Sequence, residues 1–311
     1  MYRSIVVPLD GSAASEHVLP IAVQVARGSD TTLRLVYIPN PEDDRTLEGG
    51  TSLDVALPAR SSMCPQAYLE QIRHRLAAGS DLTITTDILH EPHAHASDAH
   101  TAITDTDLVV LATHHNGLAR FRLGDIIDAL VRWHPAPILS LRTADAAPDP
   151  ESPLRFQRML IPLDGSALAE QILAPAVALG TVMEAAYTLL YVVEPYGFVS
   201  GDPVPYTSRL DDAALAHEEA EAQEYLNGIA LLMRSERLQV QTLVAVARDA
   251  RTAVRQAALQ HETDVIAMAT HWRGGLDRLL VGSVAVQVLH DSQVPVLLYR
   301  PQERRGRARC E

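Results

Sequence analysis

The chain has few of the features that mark secreted, disulfide-bonded or membrane-spanning proteins. Among 311 residues it has only two cysteines, Cys64 and Cys310, so no disulfide framework is predicted and a reducing compartment is expected. No apolar run reaches the roughly 18 residues that a membrane span requires. Residues 1–4 lead directly into a strand pattern, with no apolar signal-peptide region. We therefore expect a cytoplasmic protein without a membrane partner.

Basic residues are also scarce. There are 26 Lys and Arg against 39 Asp and Glu, a formal net charge of −13, which argues against a nucleic-acid partner because phosphate binding needs clustered cations. The one basic cluster lies in the C-terminal tail, residues 302–311, and is typical of a frayed, solvated terminus. Motifs of hydrolases, zinc peptidases and Walker nucleotidases are missing, so the enzyme assignment stays open and at most a slow ATPase is expected.

The chain contains an internal repeat. Ile-Val-Val-Pro-Leu-Asp-Gly-Ser at 5–12 returns as Met-Leu-Ile-Pro-Leu-Asp-Gly-Ser at 159–166, an offset of 164 − 10 = 154 that also aligns Glu16 with Glu170 and Tyr37 with Tyr191. Later segments match at offsets of 157 and 158, for example Leu-Ala-Thr-His at 111–114 with Met-Ala-Thr-His at 268–271. A period of about 150 residues indicates duplicated domains rather than a solenoid.

A polar, proline-rich stretch at 143–153 separates the copies as a linker would. The predicted division is a first domain over 1–148, a second over 154–301 and the basic tail over 302–311. In each domain short, continuous apolar runs predict strands that are buried on both faces. They are expected near 4–9, 32–38, 82–89, 107–112 and 137–142, and near 158–163, 186–193, 238–245, 264–269 and 294–299.

Helical patterns alternate with these runs, which predicts an α/β class: two tandem, doubly wound, open parallel sheets of five strands. After Ser12, a predicted N-cap, a helix is expected to end at Gly28, and its counterpart in the second copy at Gly180. Pro20 and Pro175 are expected to bend these helices from inside. The long second connections, 39–81 and 194–237, are expected to be loops first and helices later, as at 213–233.

An open parallel sheet binds ligands beyond the carboxyl ends of its strands. The loop after the fourth strand of the second copy is glycine-rich and carries Arg273, and Gly282-Ser283 opens a predicted helix whose free N–H groups favour phosphate. On spacing alone this is a weak phosphate-loop signal, and an ordinary structural turn is the alternative.

Taken together, these motifs resemble the universal stress protein family. The resemblance rests on Pro-Leu-Asp-Gly-Ser after strand one, Tyr at the end of strand two, Ala-Thr-His after strand four, the Gly-Gly-Leu to Gly-Ser-Val-Ala run and the terminal Val-Pro-Val-Leu-Leu. It extends over nearly the whole chain, twice. It implies the strand order 3-2-1-4-5 in each domain and a role in stress response.

The resemblance also implies a nucleotide site. In ATP-binding members the strand-four loop reads Gly-x-x-Gly, nine residues, then Gly-Ser or Gly-Thr and holds the phosphates, while the strand-one aspartate and the residue ending strand two hold the adenosine. In the second copy Ala269 and Trp272 replace the first two glycines, and a Trp272 ring would crowd the phosphates unless it turned outward. The residues implied for ATP, with magnesium, are Pro162, Asp164, Val192, Met268, Ala269, His271, Arg273, Gly282, Ser283 and Val284.

The first copy departs further from this pattern. Its loop is one residue shorter, and Asp125 after Gly124 places a carboxylate where phosphate charge would lie, so we expect this copy not to bind ATP. Asp125 is instead typical of a helix N-terminus, where a carboxylate is favoured. Four histidines, at 90, 93, 95 and 100, could together bind a metal ion. Their spacing, however, fits no standard pair of helical metal ligands and favours a solvated loop.

Two functions stay open. One is a nucleotide-responsive module in which the second copy binds ATP or AMP, and the other is a scaffold that acts through protein partners or another small ligand. Asp10 and Asp164 either cap the following helices or hold ligand, and His114 and His271 either orient their loops or touch ligand. The resemblance further implies an intrachain pseudo-dimer through the last strands, 138–141 and 296–299, with pairing of whole chains as a further option.

Overall fold

The computed structural model describes residues 2–38, 64–78, 81–88, 107–113, 136–142, 156–195, 208–270 and 284–301. The chain divides into two compact units, 1–154 and 155–311. Among the described residues, no helix is long and apolar enough to cross a membrane.

The first unit is a five-stranded parallel sheet with helical connections. Its elements are β1 (Ser4–Leu9), α1 (Ala13–Glu16), α2 (Leu19–Gly28), β2 (Thr32–Tyr37), α3 (Pro65–Ala77), β3 (Ile84–Ile88), β4 (Leu108–Thr113) and β5 (Ile138–Arg142). The strands lie in the order β3-β2-β1-β4-β5, with every described pair parallel.

The second unit repeats this plan. Its elements are β6 (Arg158–Leu163), a 3-10 turn (Ala169–Ile172), α4 (Leu173–Met183), β7 (Ala186–Val193), α5 (Ser208–Ser235), β8 (Val240–Val246), α6 (Ala250–Gln260), β9 (Val265–Ala269), α7 (Val284–Asp291) and β10 (Val296–Tyr299). The order β8-β7-β6-β9-β10 is again 3-2-1-4-5 and parallel. The predicted fold class is therefore confirmed, and all ten strands lie within two residues of their predicted bounds.

Burial follows position in the sheet. All six residues of the central strand β1 are buried, and since successive side chains point to opposite faces, both faces of that strand are covered. The outer strand β3 has three consecutive exposed residues, Thr85 to Asp87, and β8 is largely half-buried. The continuous apolar runs that predicted the strands reflect this two-sided burial.

The helix after the first strand differs from its prediction. Instead of one helix bent at Pro20, there is a short helix, α1, capped by Ser12, and then α2, in which Pro20 is the second residue. In the second unit a 3-10 turn precedes α4, whose third residue is Pro175. Proline is tolerated in a first helical turn because its missing N–H would have no intrahelical acceptor there. Both prolines therefore lie where helices begin.

Gly180 was wrongly predicted as a helix stop. Helix α4 continues to Met183, and Glu184, with φ of 55°, provides the left-handed C-cap. A side chain at Gly180 would meet the ring of Tyr187 on β7, with an added Cβ 2.7 Å from Tyr187 Cζ. The glycine is thus required for close packing between α4 and the sheet. Gly28, by contrast, does end α2 as predicted.

Candidate functional site

The turn after the first strand of each unit is held by its aspartate. In the second unit the Ser166 N–H donates to Asp164 Oδ1 at 2.9 Å, and the Ala169 N–H donates to Ser166 Oγ at 3.0 Å. Gly165 between them has φ of 80°, a left-handed conformation that favours glycine. Asp164 therefore fixes the turn, and Ser166 accepts from the first N–H of the 3-10 turn that follows.

The first unit repeats this turn with one addition. The Ser12 N–H donates to Asp10 Oδ1 at 2.9 Å, and the Ser12 hydroxyl also donates to it at 2.6 Å. The Ser15 N–H donates in turn to Ser12 Oγ at 3.1 Å. Of the two roles considered for Asp10 and Asp164, capping or ligand binding, these hydrogen bonds show a structural role in the turn for both residues. Asp164 is nevertheless exposed, so its second oxygen can still accept a ligand hydrogen.

The switch point of the second sheet lies between β6 and β9. In chain order, β7 lies beside β6 and β8 lies beyond β7, at the edge of the sheet; the chain then crosses back, so that β9 lies on the opposite side of β6. The β6–β7 ladder spans six residue pairs, whereas the β6–β9 register joins only Met159 with Val265 and Leu160 with Ile266. Reversal of strand order is where open parallel sheets form their ligand crevice. Pro162 and Ala269 are half-buried at this edge, and Met268 is buried.

An open cavity of about 460 Å³ lies at the carboxyl end of β7, between that strand and α5. Val192, a predicted ligand residue, is part of its wall, as is Gly165 from the Asp164 turn. Its volume falls within the roughly 300–1,000 Å³ usual for small-molecule pockets. The other lining residues are Tyr191, Val193, Glu194, Glu218, Glu221, Ala222 and Tyr225.

Two tyrosines and a glutamate form a cluster beside this cavity. The rings of Tyr191 and Tyr225 meet edge to face, with centroids 5.9 Å apart and an interplanar angle of 74°. The Tyr225 hydroxyl donates to Glu170 Oε1 at 3.1 Å. Burial, followed by the negative charge of Glu170, raises the pKa of Tyr225 well above the ordinary value. The cluster ties α5 to the 3-10 turn beside Asp164.

The first unit contains the same cluster. Tyr37 and Tyr68 meet edge to face at 5.8 Å, and the Tyr68 hydroxyl donates to Glu16 Oε1 at 3.2 Å. The sequence repeat aligned the first tyrosine and the glutamate but missed Tyr68 and its partner Tyr225. The available signal was Tyr-Leu-x-x-Ile, which occurs at 68–72 and again at 225–229.

The two clusters differ in charge. In the first unit Arg75 lies 2.7 Å from Glu16 Oε2 and neutralises it. The cluster offset of 225 − 68 = 157 places Leu232 at the matching position, and this leucine is 70% exposed. Among the residues that the structure describes, no cation lies within ion-pair distance of Glu170. In the second cluster the Glu170 carboxylate therefore has the Tyr225 hydroxyl as its partner and no neutralising cation within the described ranges.

The described wall of the cavity is acidic. Glu194, Glu218 and Glu221 supply three carboxylates. Burial, and then the charges of Asp164 and the two α5 glutamates, raises the pKa of Tyr191. Such a wall accepts hydrogen bonds from hydroxyl and amine groups, and it repels phosphate. It therefore suits a neutral hydroxyl- or amine-bearing group better than an anionic one.

Several predicted residues lie outside the described residues. Of the implied ATP site, His271, Arg273, Gly282 and Ser283 fall there, as does Trp272; Val284, half-buried, is the first residue of α7. The predictions for His114, for Asp125 and for the histidines at 90–100 also concern residues outside the described ranges. Within those ranges no group of three or more His, Cys, Asp or Glu residues is placed to hold a metal ion.

Comparisons with known proteins agree with the repeated fold. A family model described as the universal stress protein family matches residues 1–142 and 155–300. A universal stress protein of Mycobacterium tuberculosis is 32% identical over 199 residues, 63% of this chain and 62% of that protein. The match thus spans less than two thirds of the relative's length. A universal stress protein of Methanocaldococcus jannaschii is 28% identical over 145 residues, 47% of this chain and 82% of that protein.

Solved structures share the fold across nearly the whole chain. A universal stress protein from Archaeoglobus fulgidus superposes with a TM-score of 0.58 at 13% identity, covering 96% of this chain and 99% of that one. A functionally unknown protein from Pseudomonas aeruginosa gives a TM-score of 0.60 at 17% identity, covering 96% and 93%. At these identities the likeness concerns the fold alone.

Proposed function

This chain is a member of the universal stress protein family, with two of its domains in tandem, and we propose that it is a stress-response module that binds ATP or AMP at its second domain. The observation that carries the proposal is the cavity of about 460 Å³ beside Val192 and Gly165. It lies at the carboxyl end of the sheet, where parallel α/β folds bind nucleotides.

The acidic wall suggests how the nucleotide is oriented. Glu194, Glu218 and Glu221 repel phosphate, but their oxygens suit the ribose hydroxyls and the amino group of adenine. The adenosine end is therefore assigned to the cavity. Asp164 Oδ1 accepts from the Ser166 N–H within the turn, which leaves Oδ2 to accept a hydrogen bond from the adenosine. The phosphates, with magnesium, are assigned to Gly282-Ser283, directly before α7, where a helix start favours negative charge.

The first domain is proposed to be inactive toward nucleotide. Asp125 would bring a carboxylate to the place of the phosphates, where like charges at close range oppose binding. Its Asp10 also accepts both the N–H and the hydroxyl of Ser12, so this aspartate is more fully engaged in its own turn than Asp164.

Calorimetric titration of the nucleotide-stripped protein with ATP and magnesium tests this proposal. We expect one site per chain, an affinity loss of about tenfold or more in Asp164→Ala, from loss of a charge-assisted hydrogen bond, and little change in the matched variant Asp10→Ala. Gly282→Val is expected to weaken binding as well. Two equivalent sites, or equal losses in both aspartate variants, would be inconsistent with one active domain.

The alternative function is a scaffold for protein partners or another small ligand, and the acidic wall favours it because phosphate is disfavoured there. The same titration separates the two. Absence of heat, together with an unchanged melting temperature at millimolar ATP, would exclude nucleotide binding and leave the scaffold.

A further inference from the structure

We propose that a second cavity of the second unit binds a small amphipathic carboxylate, such as a medium-chain fatty acid. This cavity measures about 400 Å³ and lies between α6 and α7. Thr263, Ile266 and Val294, at the amino ends of β9 and β10, contribute to its wall. Because all strands are parallel, this is the opposite edge of the sheet from Val192, so the cavity is separate from the proposed nucleotide site.

The floor of the cavity is apolar. Ala258, Ile266 and Val288 are each less than 8% exposed and form its base. Two buried residues of the wall carry hydroxyls, Thr263 and Ser292, and the Ser292 hydroxyl donates to the Val294 carbonyl at 2.7 Å. No buried side-chain polar atom of the described cavity wall lacks a partner. The floor therefore suits a hydrocarbon and requires no polar group from a ligand.

The rim adds an apolar side chain that is left in water. Leu259 is 70% exposed and belongs to the cavity wall. It follows the buried Ala258 on α6, so it extends the apolar floor to the cavity mouth. A ligand chain that covers Leu259 would remove apolar surface from water and so gain free energy in proportion to the area covered.

One cation at the rim lacks a carboxylate partner within the described part of the chain. Arg251 is shared between Asp291 at 3.2 Å and Asp249 at 3.7 Å, and Arg158 pairs with Glu262. Arg255 also lies on the wall, and among the described residues it has no carboxylate within ion-pair distance. One guanidinium is thus left over, next to an apolar cavity. Guanidinium binds carboxylates through two parallel hydrogen bonds, which matches a ligand with an apolar body and a single carboxylate.

Titration of the intact protein with sodium decanoate, below its micelle concentration, tests the inference by calorimetry. We expect saturable, submillimolar binding at one site, weakened at least tenfold in Arg255→Gln and in Leu259→Asp, which places a negative charge at the mouth. Both residues are exposed, so folding should be unaffected. Arg27→Gln is the matched control, since Arg27 is also an exposed helical arginine but lies on α2 of the first unit. Decanol, which lacks the carboxylate, is expected to bind at least tenfold more weakly than decanoate.

Non-saturable uptake, or equal affinity in wild type, Arg255→Gln and Leu259→Asp, would overturn the inference. Sedimentation of the same variants identifies a different occupant. If decanoate does not bind and the two substitutions instead dissociate a dimer, the groove is an interface between chains, and the proposal is wrong. None of these outcomes depends on ATP binding at the other edge of the sheet.

Discussion

Replacing Tyr225 with phenylalanine removes one hydroxyl and keeps the ring that packs against Tyr191. In the wild type this hydroxyl donates to Glu170 at 3.1 Å. Among the described residues no cation lies near enough to Glu170 to take over as its partner once the hydroxyl is removed. A hydrogen bond to a charged group contributes about 1.5–3 kcal/mol. Because Tyr225 and Glu170 are half-buried rather than fully buried, we expect a loss of about 1–2 kcal/mol in the stability of the second unit.

Tyr68→Phe is the internal control. Glu16 would keep its ion pair with Arg75 at 2.7 Å after the Tyr68 hydroxyl is removed, so the carboxylate is not left without a partner. We expect a loss of only about 0.5–1 kcal/mol in the first unit, the lower part of the range of an ordinary hydrogen bond. The ring geometries of the two pairs are nearly the same, but Tyr68 is buried and also interacts with Ser15. The difference between the two variants therefore reports on the neutralising cation together with this difference in surroundings.

Hydrogen exchange read by mass spectrometry is the suitable assay, since a chain of two domains need not unfold in one step. Peptides from β7 and α5 report on the second unit, and peptides from β2 and α3 report on the first. Adding Glu170→Gln to Tyr225→Phe should recover part of the lost stability of the second unit. A half-buried amide without a hydrogen-bond partner destabilises the fold less than a half-buried carboxylate without one. Equal losses in the two units, or no loss in Tyr225→Phe, would refute this reasoning.

Further predictions concern packing, capping and pH. Gly180→Ala should lower stability by about 1–3 kcal/mol through overlap with Tyr187, whereas Gly228→Ala, where nothing lies within 4 Å, should raise it by about 0.5–1 kcal/mol, both in denaturant titrations. Asp249→Ala removes the acceptor of the Thr252 N–H at 3.0 Å and should cost about 0.5–2 kcal/mol in the same assay. Burial raises the pKa of Tyr187 from 10.0 to about 12, so the stability it contributes is complete below pH 10 and declines as pH rises toward 12. In alkaline denaturation Tyr187→Phe should flatten that decline, and an unchanged profile would contradict it.

The fold was largely predictable because its signals are local and repeated. Strands buried on both faces leave continuous apolar runs, and duplication shows each run twice, so all ten strands were located. The breaks around Pro20 and Pro175 were missed because an apolar periodicity does not show where one helix ends and another begins. Gly180 was misread because a glycine needed for packing against Tyr187 looks, in sequence, like a glycine that stops a helix.

The candidate site was predictable only in part. Asp164 and Val192 follow apolar strands, and the end of a strand is where a parallel sheet binds ligand. The Tyr225–Glu170 contact joins residues 55 positions apart, and its position depends on how α5 packs on the sheet. The acidic wall was also missed, since glutamates of a long helix are usually solvated and only the packing of α5 brings Glu218 and Glu221 to the cavity.

Photocrosslinking with 8-azido-ATP, followed by peptide mapping, tests the central claim most directly because it locates the nucleotide base on the chain. We predict saturable labelling at peptides that contain Val192 or the 218–225 segment of α5, abolished by excess ATP and reduced in Asp164→Ala. Labelling confined to the corresponding first-unit peptides, around Ile38 and Tyr68, or labelling that excess ATP does not prevent, would contradict a nucleotide site in the second domain.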